Sequence, residues 1–135
     1  MITTILATAT VQGEQGYAQK ITASAHELAS DEPVKRGGTN TGASPFELLL
    51  ASLGACTAIT LRMYSERKQW NLGVITVTLR MLKDAEAQHI ERHISVSGAL
   101  DAEQQKKLLE IADKTPVTKV LATGVRVQTM LEAGF

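Results

Sequence analysis

The sequence is poor in cysteine and in aromatic residues, and it has no net charge. Cys56 is the only cysteine among 135 residues, so an internal disulfide is excluded. Fourteen basic residues balance fourteen acidic ones, which leaves no net field to attract nucleic acid or an anionic membrane. Residues 1–4 show neither the charged segment nor the apolar core of a signal peptide. These absences predict a cytoplasmic protein that binds no nucleic acid.

The length and composition are those of one compact domain. Hydrophobic residues make up 44% of the chain, which is enough for a core that needs no disulfide or metal. We therefore expect a single domain over residues 1–135. Residues 48–61 are strongly apolar, and charged residues lie on both sides of them. The apolar segment is therefore shorter than the roughly 20 residues that a membrane span requires. This segment predicts a buried core helix and no membrane partner.

Alternation of apolar and polar residues predicts antiparallel strands in both halves of the chain. The first two strands form a hairpin around the glycines of residues 12–16. The glycine-rich loop of residues 37–42 matches no phosphate-binding pattern and is expected to be a flexible connection. The predicted strands are residues 2–11, 17–24, 26–30, 75–81, 89–97 and 125–131.

A long helix is predicted to begin at Pro45 and to end near Lys68. Ser44 supplies an N-cap hydroxyl, Pro45 suits the first helical position, and Glu47 completes a capping box. Two shorter helical segments are predicted, one from Asp101 to about Lys114 and one from Thr115–Pro116 to Leu121. This order of strands and helices predicts the α+β class with antiparallel sheets.

The first half of the long helix has no polar face. A small sheet can cover only one side of a helix, so we expect the other side to contact a second helix or a partner subunit. The small residues Ala51, Ser52, Gly54 and Ala55 would let such a helix approach closely. The pattern favours two helices paired across a two-fold axis.

Residues 44–57, SPFELLLASLGACT, resemble the central helix of the OsmC/Ohr superfamily. Similar segments follow the same order along nearly the whole chain, namely Asp31-Glu32-Pro33 with Gly37-Gly38, residues 61–68 and residues 109–117. The resemblance implies an OsmC-like intertwined homodimer, in which antiparallel sheets wrap around paired central helices. It also implies that Cys56 matches the peroxidatic cysteine of thiol-dependent organic hydroperoxide reductases.

Three other positions of the family's peroxidase site differ here. Thr115 occupies the place of the resolving cysteine, and a threonine cannot form the disulfide of the two-cysteine cycle. No arginine precedes Arg36, although the resemblance implies one in the opening hairpin. Phe46 occupies the place of the glutamate that orients this arginine, and Glu47 lies about 100° further round the helix.

Cys56 therefore has two interpretations. In the first, the protein is a one-cysteine peroxidase, and an external thiol resolves the sulfenic acid that forms on Cys56. Lys35 or Arg36 would then be the cation beside the thiolate. In the second, Cys56 is a small apolar residue at a helix crossing. The chain would then be a noncatalytic protein that binds an apolar small molecule in the dimer interface, or a purely structural dimer. The predicted pocket residues are Phe46, Leu50, Leu53, Cys56 and Thr115.

No cofactor or metal is expected. His89 and His93 lie four residues apart on a predicted strand, which separates them by roughly 13 Å. A single metal ion cannot bridge that distance, and a zinc-protease motif would place both histidines on a helix. We interpret the two histidines as a solvated polar face.

Overall fold

A computed structural model describes residues 2–132 of the chain. Strands and helices alternate in blocks, and every paired strand is antiparallel to its neighbour. The predicted α+β class with antiparallel sheets is therefore confirmed. The elements are β1 (Ala9–Gln12), β2 (Gln19–Ala23), β3 (His26–Ser30), a 3-10 turn (Val34–Arg36), α1 (Pro45–Lys68), β4 (Ile75–Lys83), β5 (Gln88–Val96), α2 (Ala102–Ala112) and α3 (Pro116–Thr123).

The chain divides into two compact units, one that ends at Ala51 and one that begins at Ser52. The first unit contains a three-stranded sheet in the order β1-β2-β3 and the first two turns of α1. In this sheet Ile21 of β2 pairs with Val11 on one side and Leu28 on the other. The second unit contains the rest of α1, the β4-β5 hairpin, α2 and α3.

The core of the second unit forms between α1, the hairpin and α2. Leu61, Leu72 and Leu108 are buried at its centre. Burial alternates along β4, where Ile75 and Leu79 face inward, as the period of two predicts. Gly54 lies so close to Leu79 that an added methyl group would press on that side chain. The glycine therefore lets α1 approach β4.

Within residues 2–132, the chain buries only one face of α1, although the composition of the helix predicts burial on all sides. Leu53, Thr57 and Leu61 are buried, whereas Ala55 and Ile59 on the opposite face are exposed. The hairpin covers one side of a helix and cannot reach the other. The open face is where the sequence predicts a partner helix.

α1 is long and apolar enough to cross a membrane, as judged by length and composition. The central helices of globular proteins meet the same two criteria. The absence of a membrane partner therefore stays a prediction.

Two of the predicted strands differ from the structure. The first strand, predicted from residue 2, begins only at Ala9, and residues 124–132 form no strand. A strand needs a neighbour to accept its backbone hydrogen bonds. Residues 2–8 and 124–132 have no such neighbour in the part of the chain that the structure describes. The alternating pattern is present there without a pairing partner.

Candidate functional site

Cys56 lies in the middle of α1, at the border between the buried face and the open face. Leu53 and Thr57 are buried, Ala55 and Ile59 are exposed, and Cys56 is a half-buried free thiol. Successive residues of a helix turn by about 100°, so the thiol points along the edge of the open face.

Arg92 of β5 joins three other elements of the second unit. Its Nη1 donates to Thr57 Oγ1 of α1 at 3.0 Å and to Thr118 Oγ1 of α3 at 2.9 Å. Its Nη2 donates to Oδ1 of Asp113, the residue that caps the end of α2, at 3.2 Å. Only 13% of the Arg92 side chain is exposed, against 80% for Asp113. A nearly buried guanidinium is thus balanced by one solvent-facing carboxylate.

The threonines around Arg92 complete a closed hydrogen-bond network. Thr57 donates to the Leu53 carbonyl at 2.7 Å. Thr118 Oγ1 lies 3.2 Å from the Ala112 carbonyl and 2.6 Å from Oγ1 of the fully buried Thr115. Within residues 2–132, every buried side-chain nitrogen or oxygen has a hydrogen-bond partner. The network therefore specifies a geometry and leaves none of its buried nitrogen or oxygen atoms without a partner.

Thr115 is also the N-cap of α3. Its hydroxyl accepts a hydrogen bond from the Thr118 backbone N–H, and Pro116 occupies the first helical position. The predicted capped helical turn is confirmed, and it extends to Thr123 rather than Leu121. That Thr115 also lines a pocket stays a prediction.

Sequence reasoning missed Arg92, although the signal is present. β5 places Ile90, Arg92, Ile94 and Val96 on one face, so the period of two puts a charged residue in an apolar row. An arginine in such a place requires buried polar partners. The hydroxyls of Thr57 and Thr118 meet that requirement, but they come from elements distant in sequence.

Asp31 organises the loop that precedes α1 in the first unit. Its Oδ2 accepts hydrogen bonds from the hydroxyls of Thr39 and Thr41, at 2.6 and 2.8 Å, and from both of their backbone N–H groups. Its Oδ1 accepts from the Glu32 N–H at 2.7 Å. These bonds, that of the Thr39 hydroxyl above all, hold the pKa of Asp31 well below its usual value. The expectation of a flexible loop is therefore wrong, because a buried carboxylate ties it together.

Acid is expected to remove the contribution of Asp31 to stability. Its pKa is depressed in the folded state, so the unfolded chain, with an ordinary value of about 3.9, binds the proton first. The stabilisation is fully present above about pH 4 and is lost as the pH falls through the folded value. Asp31→Asn should therefore melt several degrees below wild type at pH 7, and the gap should narrow below about pH 4. Thermal unfolding across this pH range measures the gap.

Glu86→Gln provides the control, because Glu86 is an exposed carboxylate of the β4-β5 turn. Its melting temperature should follow that of wild type at every pH. A gap between Asp31→Asn and wild type that stays constant down to pH 2.5 would contradict the assignment.

A surface cleft of about 490 Å³ lies at the start of α1, and all its lining residues belong to the first unit. It brings together Arg36, Phe46 and Glu47, three of the predicted site residues. Glu47 Oε1 accepts from the Ser44 N–H at 2.9 Å, and Ser44 Oγ accepts from the Glu47 N–H at 3.3 Å. The predicted capping box is confirmed, and the Ser44 N–H lowers the pKa of Glu47. The Glu47 carboxylate therefore serves as a cap of the α1 N-terminus.

The predicted site residues are divided between the two units. Arg36, Phe46, Glu47 and Leu50 belong to the first, and Leu53, Cys56 and Thr115 belong to the second. Within residues 2–132, no three His, Cys, Asp or Glu side chains approach closely enough to hold a metal ion. His93 instead pairs with Glu91 at 3.0 Å on the solvent side of β5.

In a comparison with protein families, the chain matches the family described as OsmC-like protein. The match covers residues 38–130, which include α1, both strands of the hairpin, α2 and α3. None of the curated proteins searched matches the chain.

Solved structures with similar folds come from several bacteria. An osmotic stress induced and detoxification response protein of Psychrobacter arcticus is 21% identical, with a TM-score of 0.76 over 88% of this chain and 90% of the other. An organic hydroperoxide resistance protein OsmC of Legionella pneumophila is 16% identical, with a TM-score of 0.66 over 89% and 91%. The organic hydroperoxide resistance protein OhrB of Bacillus subtilis is 23% identical, with a TM-score of 0.60 over 86% and 90%. At these identities the likeness shows a shared fold.

Proposed function

Because this chain belongs to the OsmC-like protein family, we propose that it is a thiol-dependent peroxidase that reduces organic hydroperoxides. The observation that carries the proposal is the position of Cys56, a half-buried free thiol at the edge of the open face of α1. A peroxidatic sulfur needs a cavity that admits a small substrate and excludes larger reductants until the oxygen has been transferred. In the proposed helix pair, the second helix would complete such a cavity around Cys56.

The proposed chemistry uses one cysteine and an external thiol. The Cys56 thiolate attacks the distal oxygen of the hydroperoxide, the O–O bond breaks, and the alkoxide takes up a proton and leaves as the alcohol. Cys56 is then a sulfenic acid. One external thiol attacks its sulfur and releases water, and a second external thiol reduces the resulting mixed disulfide. Thr115 has no sulfur, so no internal disulfide is required.

We propose that the active form is an intertwined homodimer. The open face of α1 carries Ala55, Ile59 and Met63, which form an apolar stripe at helical spacing. The two terminal segments also expose apolar side chains in an alternating pattern typical of strands. These side chains are Ile2, Leu6, Val125, Val127 and Leu131. A second copy of the chain would bury both kinds of surface.

The remaining assignments belong to the same proposal. Arg36 is the cation that would favour the Cys56 thiolate. Glu47 is a further candidate residue of the catalytic site. The pocket residues are Phe46, Leu50, Leu53 and Thr115. Residues 1–135 form one domain, and the protein acts in the cytoplasm. The substrate is a small apolar hydroperoxide, which suits the apolar side chains of this set.

Titration of the wild-type protein with cumene hydroperoxide tests the proposal. We expect one equivalent to be consumed without added thiol, and the mass of the protein to increase by one oxygen at Cys56. Adding dithiothreitol should restore the mass and allow further turnover. Hydrogen peroxide at the same concentration should react more slowly, because the pocket is apolar. Cumene hydroperoxide that remains unconsumed would overturn the proposal.

The alternative function is a noncatalytic protein that binds an apolar small molecule at the same interface. The replacement of the resolving cysteine by Thr115 favours this alternative. Native mass spectrometry of the freshly purified protein distinguishes the two functions. A co-purified apolar molecule, together with no peroxide consumption, would support the binding protein.

A further inference from the structure

We infer that Arg92 is a positioning residue, which aligns residue 115 with the turn of α1 that carries Cys56. The biological meaning of this inference rests on the proposed function. The structural argument for it rests only on the hydrogen bonds of Arg92. Arg92 does not have to touch the substrate, because it acts through the residues that it holds.

On one side, Arg92 holds the helix at the residue next to Cys56. Thr57 follows Cys56 directly, is fully buried, and accepts a hydrogen bond from Arg92 Nη1. The Thr57 hydroxyl also donates to the Leu53 carbonyl one turn earlier. Rotation of α1 about its axis would break the Arg92 bond. Arg92 therefore fixes the direction in which the Cys56 thiol points.

On the other side, Arg92 holds the corner between α2 and α3, where residue 115 lies. Asp113 stands two positions before Thr115 and Thr118 three positions after it, and both accept hydrogen bonds from the same guanidinium. Thr118 is also within 2.6 Å of the Thr115 hydroxyl. One rigid group thus restrains residue 115 from both directions along the chain.

Stability alone does not require an arginine at this position. Burying a guanidinium costs desolvation free energy, and Arg92 lies in an apolar row with Ile90 and Ile94, where an apolar side chain of similar volume would avoid that cost. A guanidinium is planar and presents donors in several fixed directions, whereas a lysine ammonium is a point charge on a flexible stem. Only the guanidinium can link three elements in one fixed arrangement. We therefore assign Arg92 a geometric role.

A disulfide reporter tests this role without using peroxidase activity. Thr115→Cys places a second thiol at residue 115, and diamide then oxidises the pair. The rate of intrachain disulfide formation, followed by mass spectrometry of quenched samples, reports how well residue 115 is aligned with Cys56. The measurement is made in the Thr115→Cys protein, alone and combined with Arg92→Met, Arg92→Lys or Thr118→Val. It is performed at a temperature at which circular dichroism shows every variant to be folded.

Arg80→Met is the matched control. Arg80 belongs to the same hairpin, but its side chain is 62% exposed and pairs with Glu91 on the solvent side. Its loss removes an arginine from the hairpin without touching the network. The Thr115→Cys protein and its Arg80→Met derivative should therefore form the disulfide at equal rates.

We expect Arg92→Met to slow disulfide formation by about tenfold, since small misplacements of reacting groups carry large kinetic costs. Arg92→Lys should fail to restore the rate, and Thr118→Val should slow it in the same direction. Thr118→Val decides the question if Arg92→Met does not fold. Equal rates in all variants, or no disulfide in the Thr115→Cys parent, would overturn the inference. A wild-type protein that consumes no hydroperoxide would refute the proposed function and leave these rates unaffected.

Discussion

Replacing Cys56 by serine is expected to reduce hydroperoxide consumption to the rate of the buffer. Cys56 carries the only thiol in the chain. A serine hydroxyl has the same shape as a thiol, but it is not ionised at neutral pH and cannot be oxidised by a hydroperoxide. No second cysteine can take over the reaction. The measurement is consumption of cumene hydroperoxide in the presence of dithiothreitol, at matched protein concentrations.

Ser52→Ala is the control for this substitution. Ser52 lies one turn earlier on the same helix and is exposed, so its change alters the surface near Cys56 and leaves the thiol intact. It should retain activity close to that of wild type. Both variants should melt within a few degrees of wild type, because neither removes a buried hydrogen bond recorded in the structure. If Cys56→Ser retains measurable turnover, Cys56 is not the reacting group.

Ile59→Glu is expected to convert the proposed dimer to monomers. Ile59 lies in the centre of the open face of α1 and is 58% exposed in a single chain. In a two-fold helix pair, the substitution would bury two carboxylates of like charge close together. An unpaired buried charge costs about 3–5 kcal/mol, so the dissociation constant should rise at least a hundredfold. Analytical ultracentrifugation over a range of protein concentrations measures it.

Leu109→Glu is the matched control for the dimer. Leu109 is an apolar residue of α2 that is 62% exposed, and it does not belong to the open face of α1. This variant should sediment as wild type does. If Ile59→Glu and wild type sediment alike as dimers, the helix pairing across Ile59 is wrong. If wild type is a monomer at all concentrations, the homodimer itself is wrong.

Local interactions along the chain determine several elements without any tertiary contact. Ser44, Pro45 and Glu47 set the start of α1, because the groups that cap a helix lie within one turn of each other. The predicted end of α1 near Lys68 and the predicted strand from His26 to Ser30 are also confirmed. The family membership could also be read from the sequence, because the motif around Cys56 is contiguous.

Whether the terminal segments form strands could not be predicted from the alternation of apolar and polar residues. Residues 125–131 alternate like a strand but have no neighbour within the described part of the chain. Alternation reports a side-chain period, whereas a strand also requires a second backbone at hydrogen-bonding distance. That requirement depends on other segments, or on another subunit.

The hydrogen-bond networks of Asp31 and Arg92 depend on the tertiary structure. Asp31 gathers Thr39 and Thr41 across a loop whose composition alone indicates flexibility. Arg92 gathers Thr57 and Thr118, which are 35 and 26 residues away from it in the chain. The sequence by itself determined the helix that carries Cys56, since a helix depends on neighbours three or four residues apart. Only the fold determined what surrounds that helix, since a side chain finds its distant partners after the chain has packed.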